Sequence, residues 1–166
     1  MGRKLAILFP ILLLVVGLDQ GTKVWVVQGM PLGGQIPIIP GIFNLVHVRN
    51  RGAAFGLLGS MSMDFTRIFF AVTTILVIAL VAYLWWRTPP GHWRAATGYS
   101  LILAGAVGNL IDRLRLGEVI DFLDFHYGPY HWPAFNVADS MVCVGAAFLV
   151  WVIFQEEKNA DVSRAA

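Results

Sequence analysis

Charge is the scarcest ingredient of this chain. Only 13% of its 166 residues are charged, 57% are hydrophobic, and the mean hydropathy is +0.68. A soluble domain carries roughly 25% charged residues, enough polar surface to cover its core. About half of that charge is absent here, so much of the surface is expected to meet lipid. Cysteine is nearly absent as well. The single Cys143 excludes a disulfide within the chain and any thiolate metal cluster, and it leaves the redox compartment unread. Cys143 itself reads as a small core residue. The net charge is only +2 and no basic tract occurs, so nucleic acid is not an expected partner. No internal repeat is visible, which removes support for an inverted-repeat transporter. A cleavage site is missing too. Arg3 and Lys4 precede an apolar run from Leu5 to Leu18, but no A-x-A sequence follows and Asp19 and Lys23 stand in its place. This first segment reads as a retained membrane anchor.

What is present is long apolar segments. A helix needs about 20 residues to span the hydrocarbon core. Four segments reach or approach that length, at about 4–28, 65–87, 95–112 and 136–155. The second is the cleanest, with Trp85 and Trp86 as interface anchors at its end, and the third is short and rich in glycine. The expected fold is an α-helical polytopic membrane protein forming a single domain over residues 1–166. A tight turn from Arg87 to Arg94 joins the second and third segments. An even helix count puts both termini on the side of that turn. Lys and Arg divide evenly between the two sides, so a simple count under the positive-inside rule leaves the orientation open. The Arg-flanked short turn and the basic start of the first helix favour cytoplasmic termini.

The connection at about 29–64 has its own pattern. Phe43, Leu45, His47 and Arg49 alternate with Asn44, Val46, Val48 and Asn50, which is strand spacing, with Pro37, Pro40 and Gly41 before it and Gly52 and Gly56 after it. A small extramembrane sheet is expected there.

The acids are unevenly distributed. Seven of the ten lie between Asp19 and Asp139: these two with Asp64, Asp112, Glu118, Asp121 and Asp124. All seven fall at one membrane face. An ionised Asp at mid-helix costs about 2.5–3.5 kcal/mol on insertion scales, so such residues face the bundle and carry a role. One shared site is the economical reading. Asp19 and Lys23 are spaced i,i+4 in the favourable order for an ion pair and read as structural. Gly105, Gly108, Asn109 and Asp112 share one helix face, as do Asn136, Asp139, Ser140 and Cys143. Asn109 and Asp112 are open to a capping role or a site role. Ser140 has no placed base, and no G-x-S-x-G elbow occurs. His126 and His131 with Asp121, Asp124 and Asp139 raise a divalent metal, but the spacing matches no metal pattern, and no metal or cofactor is expected.

Four motifs, in order, resemble lipoprotein signal peptidase, also called signal peptidase II. They are Leu18-Asp-Gln-Gly-Thr-Lys23, Asn50-Arg-Gly-Ala-Ala-Phe55, Gly108-Asn-Leu-Ile-Asp-Arg113 followed by Gly117-Glu-Val-Ile-Asp-Phe122, and Phe135-Asn-Val-Ala-Asp139. The resemblance implies four transmembrane helices with cytoplasmic termini, an extracytoplasmic β-cradle and a short extracytoplasmic helix. It implies a multi-pass enzyme of the bacterial cytoplasmic (inner) membrane, active near the outer face. The substrates would be diacylglyceryl-modified prolipoproteins, cleaved just before the lipidated cysteine. The implied catalytic pair is Asp121 and Asp139. Asn50, Gly52, Asn109, Arg113 and Asn136 match polar or backbone positions around the site, and Asp19, Lys23 and Asp112 match structural ones. Arg113 is open to pairing with Glu118, with lipid phosphate or with substrate. Membrane lipids are the other expected partners, and a monomer is the expected state. Helix position and topology alone do not select Asp121 and Asp139 over Asp19, Asp112 or Asp124.

Two aspartates suffice for peptide hydrolysis when their pKa values are split, one acting as base and one as acid. Two carboxylates about 4 Å apart repel by about 4 kcal/mol at an effective dielectric near 20. That is roughly 3 pKa units, so such a pair holds one proton near neutrality.

Overall fold

The computed structural model describes residues 2–52 and 63–165, the side chains of Met63 and of 157–165 excepted. Four long helices dominate: α1 (Gly2–Gly29), α2 (Met63–Arg87), α3 (Trp93–Leu116) and α4 (Val137–Ala165). Strands β1 (Gln35–Ile39) and β2 (Phe43–Asn50) lie between α1 and α2, and β3 (Val119–Tyr127) and β4 (Tyr130–His131) between α3 and α4. The four strands are ordered β1-β2-β3-β4 and pair antiparallel. The sheet thus extends beyond the 29–64 connection into the one after α3. Val119–Tyr127 carries no strand signature in the sequence, because most of it is buried and its apolar residues do not alternate with polar ones. Ala53, Ala54 and Phe55 of the second motif lie outside the described residues. No short helix beyond the four long ones occurs among the described residues.

Among the described residues, three helical stretches are long and apolar enough to cross a membrane: Gly2–Gly29, Asp64–Arg87 and Val137–Glu156. Their outward faces expose Leu13, Leu14, Ile68, Leu76, Leu80, Ile153 and Phe154, side chains that water would not tolerate in such numbers. Helix α3 is the polar exception, and its place in the bundle explains why. It packs against α1, α2 and α4, so its Ser100, Asn109 and Asp112 are buried among protein partners rather than in lipid. Small residues permit that central position. A Cβ on Gly105 would collide with the carbonyl oxygen of Ala138, so glycine lets the α3 and α4 backbones touch. Cys143 departs from the core reading. It is exposed on α4, while Ala138 and Val152 are buried and Gly145 faces α3.

The end of the bundle away from the sheet is closed by Lys4. Its buried ammonium donates to the carbonyls of Trp85, Trp86 and Thr88 at 3.0, 3.0 and 2.8 Å. These carbonyls lie at and just past the C-terminus of α2, where helical acceptors run short of donors, and a cation also suits the negative end of the helix dipole.

Two features of the sheet set the site. Strand β2 carries a register shift between Leu45 and Val48, after which Val48 faces Asp121 and Asn50 faces Val119. The shift leaves Asn50 diagonal to Asp121, within side-chain reach. Beyond β4, Phe135 returns to β3. Its carbonyl accepts from Leu123 N at 2.8 Å and its N–H donates to the Leu123 carbonyl at 3.0 Å. That bridge delivers Asn136 and the start of α4 beside Asp121.

Candidate active site

Asp121 is 2% exposed, on β3 where the sheet meets the helices. Asn50 donates to its Oδ2 at 2.9 Å and Asn136 to its Oδ1 at 2.8 Å. The other Asn50 amide atom, Oδ1, accepts from Gly52 N at 2.8 Å, which settles the orientation of that amide. Gly52 holds φ +89°, and a Cβ there would run into the Phe70 ring. Only glycine combines that backbone with that space.

Asp139 lies in the first turn of α4, half-buried. Asn136 and Asp139 form a reciprocal cap. Asp139 N donates to Asn136 Oδ1 at 2.9 Å, and Asn136 N donates to Asp139 Oδ2 at 3.3 Å. Asn109 donates to Asp139 Oδ1 at 2.7 Å and accepts at its Oδ1 from Lys23 and Asn136, each at 3.2 Å. Asn109 and Asn136 therefore connect both carboxylates to one another and to α1.

Beneath this layer is a buried ionic cluster. The Lys23 ammonium lies 2.9 Å from Asp19 Oδ2 and 2.7 Å from Asp112 Oδ2. Asp19 Oδ1 accepts from Ala138 N at 2.9 Å, and Asp112 Oδ2 from Ile120 N at 3.2 Å. The cluster ties α1, α3, β3 and α4 together. Gln20, which no motif spacing singles out, belongs to it. It donates to Asp112 at 2.9 Å, Asp19 at 3.1 Å and the Gly108 carbonyl at 3.2 Å. Its signal in the sequence is an amide inside an apolar run, adjacent to Asp19 within the motif Leu18-Asp-Gln-Gly-Thr-Lys23. Arg113 donates to the Asn109 carbonyl at 3.3 Å and lies in the field of Asp139, Asp121 and Asp112. Glu118 pairs with Arg51, at 2.7 Å, and not with Arg113.

The seven acids at this end do not form one site. Asp19, Asp112, Asp121 and Asp139 share the network, whereas Asp124 accepts from Asn44 at 2.8 Å and lies 2.8 Å from His131 Nδ1. Strand alternation accounts for the split, since Asp121 and Asp124 leave β3 on opposite faces. Asp64 is exposed at the start of α2.

Burial pushes the Asp121 carboxyl up from 3.8 to about 6. The Asn50 hydrogen bond opposes this, the charge of Asp139 reinforces it, and Asn136 and Lys23 act downward. A carboxyl poised near neutrality can hold or release a proton at working pH. Asp121 also borders an open groove of about 370 Å³ lined by Val48, Arg49, Asn50, Arg51, Pro133 and Ala134.

A helical bundle embedded in lipid, with a small sheet covering a buried carboxylate network at one end, defines a membrane protein with a polar site beside the bilayer surface. The sequence profile of signal peptidase (SPase) II matches residues 11–155. The lipoprotein signal peptidase of Oleidesulfovibrio alaskensis is 44% identical over 158 residues, covering 95% of this chain and all of the relative. That of Geobacter metallireducens is 46% identical over 142 residues, 86% of each chain. A bacterial membrane enzyme solved by the in meso method at 2.3 Å superposes with a TM-score of 0.78 at 31% identity, over 96% of this chain and 92% of the other. The chain belongs to the signal peptidase II family and is a membrane peptidase.

Proposed function

We propose that the chain removes the signal peptide from diacylglyceryl-modified prolipoproteins, cutting just before the lipidated cysteine, with Asp121 and Asp139 as its catalytic pair. The observation that carries this reading is the hydrogen-bond linkage of the two carboxylates through Asn136 and Asn109, next to a groove that Asp121 borders. One carboxylate takes a proton from water as its oxygen adds to the scissile carbonyl, and the carboxylic acid partner protonates the carbonyl oxygen. Collapse of the tetrahedral adduct breaks the C–N bond: one adduct hydroxyl returns its proton to the partner carboxylate as the C=O re-forms, and the proton gained from water passes to the leaving amine, which restores the pair. The proton at rest belongs to the pair.

The buried cluster of Asp19, Lys23 and Asp112 supports this pair from below, through Lys23 and Asn109. Arg113 places positive charge where the substrate carbonyl develops negative charge. Helix α3 is the fourth span, shielded from lipid by its neighbours. Both termini lie in the cytoplasm of a bacterium, so the sheet and the groove lie at the outer face of the cytoplasmic membrane. There, water reaches the peptide while acyl chains stay in lipid. One chain supplies every group named, and a monomer is the working unit.

The deciding experiment is cleavage of a diacylglyceryl-modified peptide by purified wild type, Asp121→Asn and Asp139→Asn. Each variant should insert and fold yet lose about 10²–10⁴-fold or more in turnover. Retained turnover in either one removes that residue from the catalytic pair.

A further inference from the structure

A second pocket lies behind the sheet, on the other side of the buried ionic cluster. Its volume is about 250 Å³, and it opens between the ends of α1 and α3 that meet the sheet. Val24, Val27 and Leu116 form its apolar wall, and all three are exposed on the outer surface of the bundle. Arg49 and Arg115 enter the same pocket, with Gln28 beside them. Lys23 and Asp112 make its floor, but they are held by one another at 2.7 Å, with Asp19 on the far side of Lys23.

The two arginines differ from the other cations at this end. Glu118 takes Arg51, Lys23 takes Asp19 and Asp112, and Arg67 and Arg113 donate to the carbonyls of Leu114 and Asn109, whereas neither Arg49 nor Arg115 has an ion pair or side-chain hydrogen bond among the described residues. Arg49 Nε is buried with no acceptor. A buried guanidinium N–H without an acceptor is costly, and phosphate oxygens match the guanidinium fork. The pocket therefore pairs cationic donors with an apolar wall continuous with the lipid-facing side of α1. It lies at the sheet end of α1, a helix long and apolar enough to cross a membrane.

We propose that this pocket binds the headgroup of an anionic phospholipid, its phosphate between Arg49 and Arg115 and its acyl chains along Val24 and Val27. Asp121 faces the opposite side of β3 from Ile120, which lines the pocket, so the lipid lies across β3 from Asp121, with Arg49 bordering both the pocket and the groove. A bound lipid fastens α1 to α3 over the ionic cluster. It makes the stability of the site depend on the charge of the surrounding membrane.

The test uses the full chain in a neutral detergent free of phosphate, with thermal unfolding followed by tryptophan fluorescence. Short-chain phosphatidylglycerol, phosphatidylcholine with the same acyl chains, and inorganic phosphate are titrated separately. Phosphatidylglycerol should raise the midpoint saturably, and its apparent affinity should fall about fivefold in Arg115→Gln and in Arg49→Gln. Arg87→Gln, at the other end of the bundle, should leave that affinity unchanged. An equal response to phosphatidylcholine overturns recognition of net charge, and an equal response to inorganic phosphate overturns a lipid as the ligand. Unaltered phosphatidylglycerol affinity in Arg115→Gln overturns the site. Arg115 is exposed, so that variant carries the test even if Arg49→Gln does not fold. Turnover is not measured, which keeps the result independent of the catalytic assignment.

Discussion

Asn136 donates its side-chain amide to Asp121 at 2.8 Å while the oxygen of the same amide caps the helix that carries Asp139. One short side chain thus holds a strand carboxylate and a helix carboxylate in a set relation. The amide also donates to the Ile120 carbonyl and to Asn109 Oδ1, each at 3.2 Å, so its rotation is arrested on every side. The proposed catalytic pair would need this rigidity, because small misplacements of reacting groups lower rate steeply.

Asn50 stabilises the charged form of Asp121, so its removal should raise the pKa of that carboxyl above about 6. In Asn50→Ala the limb of the kcat/KM–pH profile nearest pH 6 should move upward by about one unit. An unchanged or downward-moving limb would show that Asp121 does not set it.

The raised pKa also carries a stability consequence, with a definite sign. From its unfolded value of 3.8 to its folded value of about 6, the native state holds more protons than the unfolded one. Stability from this group is therefore fully present below 3.8 and lost as pH rises through about 6. Asp121→Asn removes that loss. It should unfold at higher temperature than wild type at pH 7.5, by at most about 3 kcal/mol, and the gap should close by pH 4. Thermal unfolding at both pH values checks this. A variant less stable than wild type at pH 7.5 contradicts it.

Gly105→Ala places a methyl group against the Ala138 carbonyl and beside Val142. Overpacking there should cost about 1–3 kcal/mol and spread α3 from α4. Since Asn109 on α3 holds Asp139 on α4, turnover should fall along with the unfolding temperature. A stable variant with unchanged turnover would mean that the two helices yield without disturbing the carboxylates.

His126 and His131 stack at 4.7 Å, and His131 contacts Asp124 on the face of β3 away from Asp121. The proposed mechanism, in which two carboxylates activate water, needs no bound cation. Turnover should persist within about twofold after prolonged chelation and in His131→Ala, a change comparable to losing a surface pair. Loss on chelation with recovery on adding a divalent ion would instead establish a metal mechanism.

Much of the framework is readable along the chain. Apolar length and the missing charge indicate lipid around α1, α2 and α4, and the alternation from Phe43 to Asn50 indicates β2. The family is legible in its motifs. Less legible is Val119–Tyr127, whose run of buried residues has no strand period to display. Cys143 escapes a correct placement for a related reason. Apolar residues occur all round a membrane helix, so periodicity does not tell the protein-facing side from the lipid-facing one.

Which segments enter the membrane follows from the order of residues alone, because transfer from water to hydrocarbon depends on local composition. The same order supplies the acids, amides and glycines in recognisable motifs. How those groups meet is a property of the folded chain: Asn50 on Asp121, Asn136 between Asp121 and Asp139, and Lys23 beneath Asn109. Those contacts join residues 71, 15 and 86 positions apart. A bulge in β2, the Phe135 bridge and a glycine-lined helix crossing bring them within hydrogen-bond distance. Local periodicity contains none of that, since hydrogen bonds act over a few ångströms in space regardless of separation along the chain.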